Sequence, residues 1–179
     1  MKKSILSVIC ACAVAMTFTS CDEDTVKSMV LSGEWEGDFG MYYTLGGRTY
    51  ECYDTYLQFE PDYLYATTGT GCQVDYYDYG PYDYQYYRFT WRVENSDIYL
   101  EYPHDPQLDV TIRDYKMSNT LLTGKLASGT RISLSKLTDY YDWTPYVDEY
   151  GCHENPDWRQ APARGADVDA SQIKAGRRF

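Results

Sequence analysis

The chain has 179 residues, 16 Lys and Arg against 27 Asp and Glu, and 44% apolar residues, giving a formal net charge of −11. That length fits one domain with a tail and excludes large multidomain machinery, while the acidic excess excludes a nucleic-acid-binding surface, which needs clustered Lys and Arg to displace counterions from phosphate. All 21 Tyr lie between positions 42 and 150, an aromatic density that belongs to an ordered chain.

Lys2 and Lys3 precede an apolar run over residues 4–16. It is too short to span a ~30 Å hydrocarbon core and has the charged and apolar regions of an export signal. The run closes on Phe18-Thr19-Ser20-Cys21, which resembles the bacterial lipobox, where small residues precede a Cys that is diacylated and becomes the first mature residue. The resemblance implies a signal peptide over residues 1–20, loss of Cys10 and Cys12 with it, and lipidation of Cys21; the plainer alternative is an ordinary signal cut nearby. Asp22-Glu23-Asp24 follows directly and is similar to the export signal of surface lipoproteins in Bacteroidetes-type bacteria, the alternative being a solvated spacer. The implied address is the outer membrane, lipid-anchored at the cell surface, with the periplasmic face as the alternative.

Residues 21–32 therefore read as a lipidated acidic linker. Acyl chains hold by burying methylenes at ~0.8 kcal/mol each, so the anchor needs no transmembrane helix. Cleavage leaves 14 basic residues against 27 acidic ones, a net charge of −13. Anionic headgroups repel such a body, which makes the lipid its expected sole membrane contact.

From residue 33 the pattern has period two and is broken repeatedly by turn residues, the mark of an antiparallel sheet. Trp35, Gly37 and Phe39 alternate with Glu34, Glu36 and Asp38; Tyr53, Thr55, Leu57 and Phe59 alternate with Asp54, Tyr56 and Gln58. A reversal at Glu60-Pro61-Asp62 leads to a third strand over residues 63–70. Tyr87, Phe89, Trp91 and Val93 point inward along the clearest strand, which Asn95-Ser96 turns into Ile98, Leu100 and Tyr102. Leu108, Val110 and Ile112 follow, then two shorter strands over residues 121–127 and 130–137. The fold class is all-β, an antiparallel eight-strand meander over residues 33–137. Closure into a barrel removes exposed edges; an open curved sheet and a sandwich are the alternatives. The large inward residues fill much of such a barrel, so a packed core with a shallow aromatic mouth is expected instead of a deep cavity.

Leu31-Ser32-Gly33-Glu34-Trp35 resembles the Gly-x-Trp entry of lipocalin-like domains, and Phe89-Thr90-Trp91, Ile98-Tyr99-Leu100 and Leu122-Thr123-Gly124 fit the meander of lipocalin-like Bacteroidetes lipoproteins. The resemblance covers about residues 30–137 and implies a lipocalin-like β-barrel. Residues 138–179 form an extension, in which Tyr140, Tyr141, Trp143, Tyr146 and Trp158 are placed to dock on the barrel and the last fifteen or so residues are expected to be mobile.

The mature cysteines besides Cys21 are Cys52, Cys72 and Cys152, which permit one bridge in an oxidising compartment. A reversal at residues 60–62 sets Cys52 nearly opposite Cys72, so these two are the disulfide candidates, with two free thiols as the alternative. The segment 75–87 holds seven Tyr and three Asp about Gly80-Pro81. Flat amphipathic rings there, Tyr76, Tyr77, Tyr79, Tyr82 and Tyr84, suit sugar faces or apolar ligands, while Asp75, Asp78 and Asp83 accept hydroxyl protons; the structural alternative is that Tyr is simply a good strand residue.

His104 and His153 lack the paired spacing of zinc sites, and the Asp spacing does not match a calcium loop, so no metal and no cofactor is expected. Gly69-Thr70-Gly71 lacks the Lys and helix of a phosphate loop and reads as a bend in a strand. The expected function is a non-enzymatic binding or accessory module for glycan, peptide or another envelope protein. The alternatives are a carboxylate-dependent glycan hydrolase and a purely structural envelope protein.

Overall fold

A computed structural model describes residues 23–139, 141–143 and 172–178. The signal segment, Cys21, Tyr140, Tyr146, Cys152, His153 and Trp158 lie outside the described residues. Eight antiparallel strands close into a barrel in the order β1 (Gly33–Asp38), β10 (Arg131–Lys136), β9 (Leu121–Leu126), β8 (Val110–Met117), β7 (Asp97–Glu101), β6 (Tyr84–Glu94), β5 (Thr68–Tyr76) and β4 (Asp54–Pro61). Strand β1 closes the ring by pairing with both β10 and β4, with Trp35 opposite Lys136 on one side and Leu57 on the other. The remaining contacts are a meander. Asn95 and Ser96 both take positive φ, as a two-residue hairpin that continues the strand twist requires.

The inward positions make one core. Leu57 and Phe59 of β4, Phe89, Trp91 and Val93 of β6, Ile98 and Leu100 of β7, Ile112, Leu122, Leu126, Ile132 and Leu134 are all buried in it. Gly69 and Gly71 face inward on β5; a Cβ at either would lie 2.7 Å from the Trp91 ring or 2.3 Å from that of Phe89. These glycines make room for two large rings inside a narrow barrel. They are strand positions, with no phosphate-loop geometry.

The two ends of the barrel are closed by elements that alternation did not predict. At one end lies α1 (Glu23–Leu31), where the linker was expected. Leu31 is wholly buried there and its carbonyl accepts from the Trp35 indole at 2.7 Å. Lys136 Nζ donates to the Val30 carbonyl at 2.6 Å, and the Asp24 carboxylate accepts from the backbone N–H groups of Asn95 and Ser96. The Gly33-Glu34-Trp35 motif thus marks the place where helix becomes strand and a Trp plugs the barrel. Among the described residues no helix is long and apolar enough to cross a membrane.

The far end carries a second sheet, with strand order β11 (Lys174–Arg177), β2 (Met41–Leu45), β3 (Arg48–Glu51). Gly46-Gly47, both at positive φ, turn β2 into β3. The last residues, expected to be mobile, instead form β11 against β2 across residues 174–177. They are held by a backbone bond from Arg178 to the Gly40 carbonyl at 2.8 Å and by ion pairs from Arg178 to Asp38 and Glu51. Hydrogen bonding between strands, with little apolar patterning, makes this segment a strand.

The third expected strand begins five residues later than predicted. The chain turns through residues 62–67, and Gln58 faces Cys72 while Pro61 faces Gly69. Cys52 is consequently not opposite Cys72. It precedes β4 and its backbone N–H bonds to Met41 of the far-end hairpin. Cys52 is a free thiol, whereas Cys72 is disulfide-bonded. The Cys52–Cys72 pairing is therefore corrected by register. Tyr53, expected inward, is 57% exposed because it sits at the bend before β4 begins.

Candidate functional site

The tyrosine-rich segment links β5 to β6 at the far end, and its alternation puts successive side chains in three different surroundings. Tyr77 and Tyr82 turn in and are buried against Tyr43 of β2. The Tyr43 ring meets Tyr77 edge-on at 4.6 Å and Tyr82 at 6.2 Å, and it stacks on Tyr50 of β3 at 4.8 Å. Gly80, at φ +102, allows this closure, since a Cβ there would lie 2.1 Å from the Tyr43 hydroxyl oxygen. These rings form a plug over the barrel mouth. Aromatic edges and faces in such pairs attract by their quadrupoles, each pair adding about 0.5–1.5 kcal/mol beyond area burial.

Below the plug, the inward positions of β4 and β5 change from apolar to polar. Asp75 is wholly buried. Its carboxylate accepts from Thr55 Oγ1 at 2.7 Å and from Gln73 Nε2 at 2.9 Å to each oxygen. Gln73 Oε1 accepts from the Tyr102 hydroxyl at 2.5 Å, and Arg177 of β11 donates to that hydroxyl at 2.8 Å and to the Leu108 carbonyl. The guanidinium stands 4.8 Å from the Phe39 ring centroid and 5.0 Å from that of Tyr102. Tyr87 donates to Gln85 nearby.

Burial pushes the Asp75 carboxyl up to about 7, against the opposing pull of the Thr55 and Gln73 hydrogen bonds and the Arg177 charge. Burial, with the Asp75 charge beside it, also drives the Cys52 thiol well above its usual range, so this thiol is not a poised nucleophile. Asp75 is thus a structural acid sealed inside the barrel.

Tyr76 and Tyr84 turn outward onto the wall made by β4, β5 and β6. Tyr76 lies 6.3 Å from Tyr53, 5.9 Å from Tyr56 and 6.2 Å from Tyr84 between ring centroids. Tyr141, from the segment after the barrel, stacks on Tyr56 at 4.3 Å, and its hydroxyl lies 2.6 Å from that of Tyr76. Glu34 fastens that segment, accepting from the Tyr141 backbone N–H at 3.0 Å and the Trp143 indole at 2.8 Å. Trp143 buries Cys72, Val74 and Tyr86 beneath it. Burial and the nearby Glu36 raise the Asp54 carboxyl at the edge of this wall.

Tyr79 is 80% exposed at the tip of the loop and Asp78 beside it is exposed; Asp83 is half-buried. The eight residues singled out from sequence therefore divide. Asp75, Tyr77 and Tyr82 are interior, Tyr76, Tyr84 and Asp83 are partly covered, and Tyr79 and Asp78 face solvent. Tyr53 joins the exposed group, and sequence reasoning had placed it inward. Glu34, Thr55, Gln73 and Arg177 were not singled out. The signal for Gln73 and Asp75 is their phase with Gly69 and Gly71, which marks polar residues at inward positions.

A cleft of about 320 Å³ opens at the far rim between β7 and β8, bordered by Glu101, Gln107, Asp109 and Arg177. His104 is exposed in the preceding turn. Among the described residues no three His, Cys, Asp or Glu side chains gather as metal ligands. Set against protein-family models, curated proteins and solved structures, the chain matches none.

Proposed function

We propose that the chain is a lipid-anchored outer-membrane or cell-surface protein acting as a non-enzymatic binding or accessory module, which offers the far end of its barrel to a glycan, a peptide or another envelope protein. One observation carries the reading: large side chains fill the barrel and both ends are closed, so recognition falls to the outside. Leu31 and Trp35 stop one end, and Tyr43, Tyr77 and Tyr82 stop the other.

The far end combines exposed Tyr79 and Tyr53 with partly covered Tyr76 and Tyr84 and the acceptor Asp78. Amphipathic rings beside carboxylates suit hydroxyl-bearing or peptide ligands. This end is opposite α1, which begins two residues after Cys21 in the sequence. The acid that keeps its proton to about pH 7, Asp75, is sealed below the plug, where it meets no glycosidic bond. That arrangement favours binding over hydrolysis.

The test is to screen the mature chain on glycan and peptide arrays and titrate the hits by calorimetry. Tyr79→Ala and Tyr53→Ala are each expected to weaken binding about tenfold, the loss of about 1.4 kcal/mol of ring contact, with the melting temperature unchanged. Unchanged binding in the double variant, or turnover of a bound glycan, overturns the reading.

A further inference from the structure

Eight large apolar or aromatic side chains are strongly exposed among the described residues, and they are not scattered. Tyr53 and Tyr79 lie at the far end. The other six, Val26, Met29, Tyr63, Leu64, Tyr65 and Leu121, all lie at the helix end. Val26 and Met29 are one turn apart on the outer side of α1. The turn carrying Tyr63, Leu64 and Tyr65 is fastened to that helix by Ser28 Oγ, which donates to the Ala66 carbonyl at 2.7 Å. Leu121 adjoins the same rim, where Thr120 accepts from the Lys136 backbone and Lys136 Nζ reaches Val30.

The turn is built to hold its side chains outward. Tyr65 has φ +68, a left-handed conformation that is costly for a bulky residue and that a Gly or Asn would adopt more cheaply. Tyr63, Leu64 and Tyr65 are 69%, 75% and 56% exposed. Three consecutive exposed apolar or aromatic side chains, on a turn bonded to a helix that exposes two more, gather apolar surface at one end of the barrel, as interaction surfaces do.

Chain continuity selects the occupant. Cys21 lies two residues before Glu23, where α1 begins, and two residues reach at most about 7 Å. We propose that the helix end of the barrel is a membrane seat, with Val26, Met29, Tyr63, Leu64, Tyr65 and Leu121 set into the headgroup layer of the zwitterionic bilayer that holds the acyl chains of Cys21. This rests on the lipid-anchor reading above, and it replaces the expectation that the lipid is the sole membrane contact. Tyr rings sit well at this depth because their faces are apolar and their hydroxyls stay hydrated. Glu23, Asp24, Glu60, Asp62 and Glu94 belong to the elements of this end; of its basic residues Lys27 is paired to Glu23 at 2.7 Å, Arg92 to Glu94 at 3.5 Å, and Lys136 bonds to the Val30 carbonyl, while Lys116 is exposed. Contact is therefore made by uncharged side chains, and anionic lipid disfavours it. Seating also fixes the barrel axis and turns Tyr79 and Tyr53 away from the membrane.

The experiment is hydroxyl-radical footprinting of the acylated chain in phosphatidylethanolamine–phosphatidylcholine vesicles, against residues 22–179 free in solution, with side-chain oxidation read by mass spectrometry. Oxidation of Met29, Tyr63 and Tyr65 is expected to fall several-fold on vesicles while that of Tyr79 stays constant. Replacing Tyr63, Leu64 and Tyr65 together by Ser is expected to restore the oxidation of Met29 in the anchored chain without lowering the melting temperature. An acylated chain whose Met29, Tyr63 and Tyr65 oxidise equally in both states overturns the seat alone; a chain without acyl mass on Cys21 overturns the anchor and the seat with it. Protection that grows with concentration of the free chain assigns the patch to a second copy. Protection found only in native envelopes assigns it to a protein partner, and either result overturns the lipid occupant.

Discussion

The two ends of this barrel are closed by opposite chemistry. At the helix end an apolar stopper of Leu31 and Trp35 is fixed by bonds to backbone carbonyls, and the outer face remains apolar. At the far end the stopper is a set of tyrosines lying over a buried carboxylate, an amide and a guanidinium. The stopper side chains Leu31 and Trp35 do not titrate and tolerate an apolar environment outside. A polar stopper requires every group to be satisfied, so it ties the far end to pH and to the chain terminus that supplies Arg177. The difference teaches that one end is suited to facing lipid and the other to facing water.

The largest effect is expected at the helix end. Trp35→Ala empties the stopper and leaves the Leu31 carbonyl without its indole donor, so it should cost about 3–5 kcal/mol, measured by denaturant titration. A loss under about 1 kcal/mol would mean that α1 does not close the barrel. The same substitution should leave the far-end pH response intact, because Trp35 bonds to the Leu31 carbonyl at the opposite end of the barrel from Asp75 and its Thr55 and Gln73 partners.

The far end should respond to pH. In the folded chain Asp75 holds its proton to about 7, against an ordinary value of 3.8. Between those values the folded state binds more protons than the unfolded one. This contribution to stability is therefore full below about pH 4 and is lost as the pH rises towards 7, in total up to about 4 kcal/mol. Asp75→Asn should flatten that slope, and chemical unfolding at pH 4, 6 and 8 checks it. A variant with the wild-type slope would place the titration elsewhere.

Gly80→Ala tests the plug with a smaller change. The new Cβ meets the Tyr43 hydroxyl in a backbone conformation that L residues avoid. A cost of about 1–3 kcal/mol is expected, with faster hydrogen exchange confined to residues 77–84 and the helix end unaffected.

Much of this architecture was legible. The eight barrel strands follow from alternation, and Asn95-Ser96 marks a two-residue hairpin between β6 and β7. The β2–β3 hairpin is not among the strands that alternation gives, because its strands are short and polar; its one signal is Gly46-Gly47 between Tyr43-Thr44 and Arg48-Thr49, a turn pair. Helix α1 was hidden because its nine residues divide between a buried Ser28–Leu31 side and an exposed Val26–Met29 side, which gives no single apolar stripe. Strand β11 was illegible because Lys-Ala-Gly-Arg becomes a strand only when β2 offers an edge. The candidate site was legible as a composition and not as a geometry. Tyr77 and Tyr79 have the same parity, yet one is buried and the other exposed, because Gly80 turns the loop between them and Tyr82.

The smallest effect on stability carries the sharpest functional contrast. Tyr79→Ser removes a ring that is 80% exposed, and surface changes of this kind fall within about 0.5 kcal/mol. Tyr77→Ser, two residues away, empties the plug and strips Tyr43 of its nearest edge-on partner, which should cost about 2–4 kcal/mol. A ligand that reads the far surface is lost with Tyr79 at constant melting temperature. A ligand lost with Tyr77 and kept with Tyr79→Ser would instead require the plug itself to open. Calorimetric titration of the two variants beside their thermal melts separates a surface that recognises from a stopper that moves.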